Sequence, residues 1–318
     1  MPSKFLFWPA AAALLGCGIA LPNVSAGQGP EVGFQREPGK VTVVVAGQPV
    51  ATYVYADEKI RRPHFAHVRA PGGVQVTRNH PPVAGKDPAD HADCHPGLWM
   101  AFKDISGSCY WRSEARVVQE AFVDIPAGGP GRGAFAVRNR YLAQKDENKT
   151  VCREVCRYTF RVHPAGYLLI WDSIFSSDNE FSFGDEEEMG LAVRVATPIA
   201  VAQGGTILDA SGRRNEREVW GNAADWCDYS GTIDGRHAGV TLMCDPKNFR
   251  PSWYHARDYG VIVANPFGQK AFRKGPVSKV VIKPGESFRL RYGVLLHAGP
   301  SDAKPNLKAA YADFLSEL

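Results

Sequence analysis

Short runs of β-branched and aromatic residues, several alternating with polar ones, recur along the chain: Val41 to Val45, Ala51 to Tyr55, Gly133 to Val137, Arg157 to Val162 and Val277 to Ile282. Glycine, proline, asparagine and aspartate punctuate them at Pro71-Gly72-Gly73, Ala127-Gly128-Gly129-Pro130, Asp209 to Gly212 and Pro284-Gly285. That rhythm predicts half-buried strands joined by tight turns. Asp234-Gly235 is a two-residue hairpin signal, because both positions tolerate positive φ. One helix is predicted at Pro305 to Leu318, where Leu307, Ala310, Tyr311, Phe314 and Leu315 share a face behind a proline start. The fold class that follows is all-β: a large antiparallel β-sandwich closed by a short C-terminal helix.

The first residues follow a different pattern. Lys4, an apolar run from Phe5 to Leu21 and then Val24-Ser25-Ala26 form the three regions of a secretory signal, cleaved before Gly27. A competing reading takes Leu14-Leu15-Gly16-Cys17 as a lipobox, with a lipid anchor on Cys17. Either way the chain is expected to be exported, to the periplasm or the exterior. No later segment is long and apolar enough to span a bilayer as a helix. The organisation is thus a signal over residues 1–26 and one sandwich domain over 27–318, since all-β chains of this length commonly fold as one unit.

Export changes the meaning of the cysteines. Of seven, Cys17 lies in the signal, leaving Cys94, Cys109, Cys152, Cys156, Cys227 and Cys244. Cys152 and Cys156 would sit roughly 13 Å apart on one strand, too far to bridge. Cys227 and Cys244 flank the Asp234-Gly235 turn, whose register sets them diagonally across neighbouring strands. The formal charge of +4, from 37 basic and 33 acidic residues, is spread without a basic stripe, which argues against nucleic acid as a partner. Gly-x-Ser-x-Gly, P-loop and dinucleotide motifs are absent, which argues against the common serine hydrolases, NTPases and nicotinamide enzymes.

The chemistry concentrates in two stretches, Asp90-His91-Ala92-Asp93-Cys94-His95-Pro96-Gly97-Leu98-Trp99 and Trp253-Tyr254-His255-Ala256-Arg257-Asp258-Tyr259. Imidazoles beside large rings suit a sugar: the rings stack on C–H faces while polar groups bond hydroxyls and move protons. His91, His95 and His255 are the candidates for proton exchange. Arg62, Arg78 and Arg257 are candidates for holding hydroxyls or a carboxylate, with Trp99, Glu216, Trp226, Tyr229 and Asn265 completing a binding surface. For Arg62 and Arg78, bonding of turn carbonyls is the competing reading, and for the tryptophans, core packing. His91 and His95 stand at a spacing that would converge on a metal in a helix, but Pro96 and Gly97 favour a loop, so no metal or other cofactor is expected. Gly184-Asp185-Glu186-Glu187-Glu188 is expected to be a solvated acidic loop.

Arg62-Pro63-His64-Phe65, Val76-Thr77-Arg78, Asp90-His91 through Trp99, Trp220-Gly221, Trp226 to Gly231, His255 to Gly260 and Ala264 to Gly268 together resemble a family of secreted bacterial proteins labelled the methane oxygenase PmoA family. The likeness runs from about Thr52 to His297. Where that family has a denser Asp-His-Pro-His-His run, this chain has Asp90-His91-Ala92-Asp93-Cys94-His95. The resemblance implies a galactose-mutarotase-like super-sandwich with a carbohydrate ligand on a concave sheet; the label itself implies a metal-dependent oxygenase. Residues and resemblance together point to a carbohydrate-active hydrolase, lyase or epimerase, with a non-catalytic glycan-binding module as the rival. The geometric expectation is that at least four of Arg62, Arg78, His91, His95, His255 and Arg257 line one pocket, floored by Trp99 or Trp226.

Overall fold

The computed structural model describes residues 1–2 and 29–317. Almost all of the signal segment, including Cys17, lies outside the described residues. Among them no helix is long and apolar enough to cross a membrane.

The chain forms a 16-stranded sheet in which every neighbouring pair is antiparallel. Alternation sets the inward face. In Lys40–Val45 the residues Val41, Val43 and Val45 are buried while their neighbours are half-buried. In Asp146–His163 the inward row is Cys152, Glu154, Cys156, Tyr158 and Phe160. Tyr53, Phe65, Phe135, Tyr158 and Trp171 pack their rings into the centre of this main core. Glu154 is the polar intruder; it accepts hydrogen bonds from Asn139, Tyr141 and Ser173, and burial raises its pKa.

The sheet folds over until its two ends approach. Thr206–Asp209 ends one side and Trp253–Arg257 the other. Between them a short helix, Asn215–Val219, leads into Trp220 to Ala223, which bridges to Tyr254 and Trp253. Asp234 and Gly235 both have positive φ and pair Ile233 with Arg236, as the hairpin signal requires. The C-terminal helix runs over Leu307–Leu315, with the Asn306 side chain accepting from Ala309 N. Its Leu307, Ala310, Tyr311, Phe314 and Leu315 cover Leu168, Ile170, Met243 and Leu295 on the sheet's outer face.

Several expectations shift. Ala127 to Pro130 continues the strand Val117–Pro130, and the chain turns at Gly131. The run from Val277 is strand only over Val280–Ile282. The helix Asn215–Val219 has no counterpart in the sequence reading. All six described cysteines are free thiols. Cys227 lies opposite Leu242 and Cys244 N bonds Asp225 O, the diagonal placement expected.

At one end, four strands are buried on both faces: Leu98–Phe102, Met189–Arg194, Val261–Asn265 and Trp253–Arg257. Their register aligns Trp99, Ala192, Val263 and His255 in one row across the sheet. Arg194, Val261 and Arg257 form the next row on the same face. Leu98, Met100, Leu191, Val193, Ile262, Ala264 and Tyr254 point the other way into the main core. Gly190 permits this close pairing: its φ is +118° and an added Cβ would lie 2.1 Å from the Ala264 carbonyl oxygen. Gly190→Ala is therefore expected to lose about 2–4 kcal/mol of stability through backbone strain and lost pairing, measured by denaturant unfolding; a loss under about 1 kcal/mol would contradict this packing.

Candidate functional site

The outer face of these four strands would be apolar surface open to water if nothing covered it. Trp99, Ala101, Trp111, Ala192, Val261 and Val263 form a second, small core there. The loop from Pro88 to His95 lies over part of it, fixed by buried arginines. Arg78 is 1% exposed and donates to the carbonyl oxygens of Pro88 (3.1 Å), Asp90 (2.7 Å) and His95 (3.2 Å). Arg62 donates to the carbonyls of Tyr110 (3.0 Å), Trp111 (3.0 Å) and Cys94 (2.6 Å). Both guanidinium groups thus tie down loop carbonyls, which is the competing reading of these two arginines.

Asp90 is the loop's pivot. Its Oδ1 accepts from Arg194 (2.9 Å) and lies 3.3 Å from Arg78 Nη1, and its Oδ2 lies 2.9 Å from His91 Nδ1. Burial alone would raise the carboxyl's pKa, but the hydrogen bond with His91 and the charges of Arg194 and Arg78 outweigh it and hold it below the usual range. An ionised Asp90 must accept at Oδ2, so Nδ1 of His91 carries a proton, and in the neutral ring Nε2 holds the lone pair.

The rings form a ladder from surface to core. Tyr259 lies parallel to His91 (5.8 Å, 8°), His91 stacks on His95 (4.6 Å, 12°), and His95 stacks on Trp99 (5.0 Å, 23°). The Arg194 guanidinium sits 4.6 Å from the centre of the Tyr259 ring. His91 reaches solvent in a cleft of about 700 Å³; His95 and Trp99, at 2% and 0% exposure, do not.

The cleft's other wall is the acidic run. Asp185 accepts from the backbone N–H groups of Lys270, Ala271 and Ser278, fixing the run's start. Asn265 donates to the Glu186 and Glu187 carbonyls, an anchoring role. Glu186 pairs with Lys103 at 3.2 Å and Glu188 pairs with Arg112. Glu187 Oε2 lies 3.1 Å from His255 Nδ1 and 3.0 Å from Arg257, which also reaches Glu216 at 2.8 Å. The His255 ring, outweighing burial, and then the Arg257 charge hold the Glu187 carboxyl below the usual range. Glu188 Oε2 is buried and has no hydrogen-bond partner.

Of the six side chains expected to share a pocket, His91, His255 and Arg257 line the cleft. His95 lies behind His91, while Arg62 and Arg78 hold the loop. Trp99 is beneath His95 rather than on the floor. Trp226 packs beside the C-terminal helix. Tyr229 is buried; its hydroxyl accepts from Val201 N and donates to Asp258 O. Glu216 stands behind Arg257. The acidic run, expected as a solvated loop, is the part of the site that the sequence reading missed; four consecutive charged residues after a glycine gave no sign that they face inward. Among the described residues, the His, Cys, Asp and Glu side chains close enough together to hold an ion are Asp57, His64 and His80, across the loop from this cleft.

Residues 40–311 match a family described as a family of unknown function (DUF6807), and the chain belongs to it. No curated protein matches it. Among solved structures, a provisionally assigned kojibiose phosphorylase from the human microbiome overlays with a TM-score of 0.38 at 8% identity, over 91% of this chain and 36% of that one. A galactose mutarotase related enzyme from Lactobacillus acidophilus gives 0.36 at 10% identity, over 86% and 100% of the two chains. A GH36 alpha-galactosidase from Geobacillus stearothermophilus gives 0.33 at 10%, over 83% and 40%. The chain thus spans little more than a third of the phosphorylase's length and two fifths of the galactosidase's. The architecture here stands on the strand pairing itself, and the chemistry on the cleft.

His95 carries a consequence for stability. Burial first, and then the nearby His91 and Arg194, depress its pKa far below its ordinary value of 6.5, so the native ring stays neutral. The unfolded chain takes up that proton near pH 6.5, so its protonation has no effect on stability above that pH and removes stability as pH falls below it, by up to about 1.4 kcal/mol per pH unit. His95→Phe keeps the stacking ring and is expected to flatten the loss between pH 7 and 5 in denaturant titrations. An unchanged slope would show that His95 is not the group responsible.

Proposed function

We propose that this member of a family of unknown function is an exported carbohydrate-active enzyme, a hydrolase, lyase or epimerase, that moves protons on a sugar bound in the His91 cleft. The observation that carries the reading is the Asp90–His91 pair. Its carboxylate is gripped by two buried guanidinium groups, and its imidazole faces a polar cleft. An imidazole oriented by a fixed carboxylate is suited to accept a proton from a hydroxyl, because the neighbouring charge stabilises the imidazolium that forms. His255, Glu187 and Arg257 form a rigid array of donors and acceptors for hydroxyls. Tyr259, stacked on His91, forms part of the cleft wall.

The cleft's charges favour a neutral sugar over an acidic one. Lys103, Arg112, Arg257 and Lys270 are four cations, set against the four carboxylates Asp185, Glu186, Glu187 and Glu188. With Arg62 and Arg78 turned to loop carbonyls, no surplus positive charge remains to hold a carboxylate, whereas hydroxyls can donate to and accept from paired ions.

The test is a panel of neutral and acidic mono- and oligosaccharides, scored for both binding and turnover. The parent is expected to turn over a neutral sugar. His91→Asn should cut kcat at least ~100-fold while leaving binding within about threefold, and Asp90→Asn should cut it comparably by reversing the partner of Nδ1. Binding without turnover by the parent would replace the enzyme with a glycan-binding module. Full turnover by His91→Asn would remove His91 from the chemistry.

A further inference from the structure

On the opposite side of the Pro88 to His95 loop lies a second cleft of about 670 Å³, lined among others by Asp57, His67, His80 and Asp93. Ala92 and Asp93 line this cleft and His91 the first, so the loop is a partition between the two. At its wall Asp57, His64 and His80 each bring one ligand atom within 4.8 Å of the others. We propose that these three residues form a mononuclear site for a divalent transition-metal ion, with an open coordination position facing the second cleft.

Three features set this group apart from an ordinary ion pair. First, two of the three ligands, Asp57 and His64, are oriented by a contact on the far side. Asp57 Oδ1 accepts from Lys59 N (2.7 Å) and Ile60 N (2.8 Å), which leaves Oδ2 directed at His80, 3.5 Å from its Nε2. His64 Nδ1 lies 3.2 Å from the Arg62 carbonyl oxygen. A carbonyl can only accept, so Nδ1 holds the proton and Nε2 carries the lone pair, the arrangement by which ligating histidines are fixed.

Second, His64 is fully buried and its Nε2 has no partner. A buried ring nitrogen left bare costs about 1–3 kcal/mol, and a metal–nitrogen bond would satisfy it. The His64 and His80 rings meet edge to face at 5.3 Å and 82°.

Third, the donor set is selective. Two imidazoles and one carboxylate suit zinc, iron or cobalt in the divalent state and are too nitrogen-rich for calcium or magnesium. A tetrahedral ion with bonds of about 2.0–2.1 Å needs its ligand atoms roughly 3.4 Å apart; Asp57 Oδ2 and His80 Nε2 are already 3.5 Å apart, and all three atoms lie within 4.8 Å of one another. Three protein ligands leave at least one position free, and Asp57 and His80 both border the cleft through which an ion or its fourth ligand would enter.

The proposal does not depend on the sugar chemistry at His91. The test uses the purified chain stripped with chelator and titrated with Co²⁺, read by visible d–d absorption and calorimetry, and then challenged with Zn²⁺. One equivalent of Co²⁺ is expected to bind with a four- or five-coordinate spectrum and to be displaced by Zn²⁺, while Ca²⁺ and Mg²⁺ have no effect. Asp57→Asn and His80→Asn, at the partly open side of the site, should each weaken Co²⁺ at least ~10-fold. Circular dichroism would establish that both variants remain folded. His64→Gln should do the same, and if it fails to fold the other two variants decide. The absence of one-to-one binding by the folded parent, or binding that survives both the Asp57 and the His80 substitutions unchanged, would overturn the site.

Discussion

The candidate site depends on positive charge taken out of water. Arg62, Arg78 and Arg194 are 3%, 1% and 1% exposed, and a guanidinium removed from solvent is tolerated only if hydrogen-bond acceptors surround it. Those acceptors are the backbone carbonyls of the Pro88 to His95 loop, the Tyr110 and Trp111 carbonyls, and the Asp90 carboxylate. Burial lowers the Arg62 pKa to about 10, which still leaves it charged near neutrality. A loop with no secondary structure of its own is thereby held by side-chain hydrogen bonds to its carbonyls.

This anchoring gives the four-strand end of the sheet a second function beyond closing the core. A strand buried on both faces has two sets of side chains to place, and here the inner set is plain core while the outer set carries Trp99, Arg194, His255 and Arg257. The loop and the acidic run roof that outer face from two sides and leave the cleft between them. Paired charges make the cleft rigid as well as polar. Arg257 spans Glu187 and Glu216, and Asn265 and Asp185 fix the backbone of the run that presents those carboxylates.

The strands and turns were legible in the sequence because local chemistry decides them. Alternation gave Lys40–Val45, paired positive-φ residues gave the hairpin at Asp234-Gly235, and the apolar face after Pro305 gave the terminal helix. The two stretches richest in imidazole proved to flank the cleft, and the competing reading of Arg62 and Arg78, that each ties down carbonyls, is the one the structure shows. What stayed illegible depends on direction rather than composition. Nothing local distinguishes Glu187, which meets His255 and Arg257, from a solvated glutamate, or Trp226 beside a helix from a tryptophan under a sugar. Asp57, His64 and His80 stand 7 and 16 positions apart in the chain (64 − 57 and 80 − 64), with no metal-binding spacing, and come together only because the loops around His64–Ala66 converge.

Buried Arg78 and Arg194, through Asp90, fix the proton on one nitrogen of His91. Nitrogen-15 NMR of the imidazole at neutral pH tests it most directly. Neutral His91 is expected to be the Nδ1–H tautomer, and Asp90→Asn to abolish this preference. A free ring exchanging between tautomers, or a proton on Nε2, would contradict it.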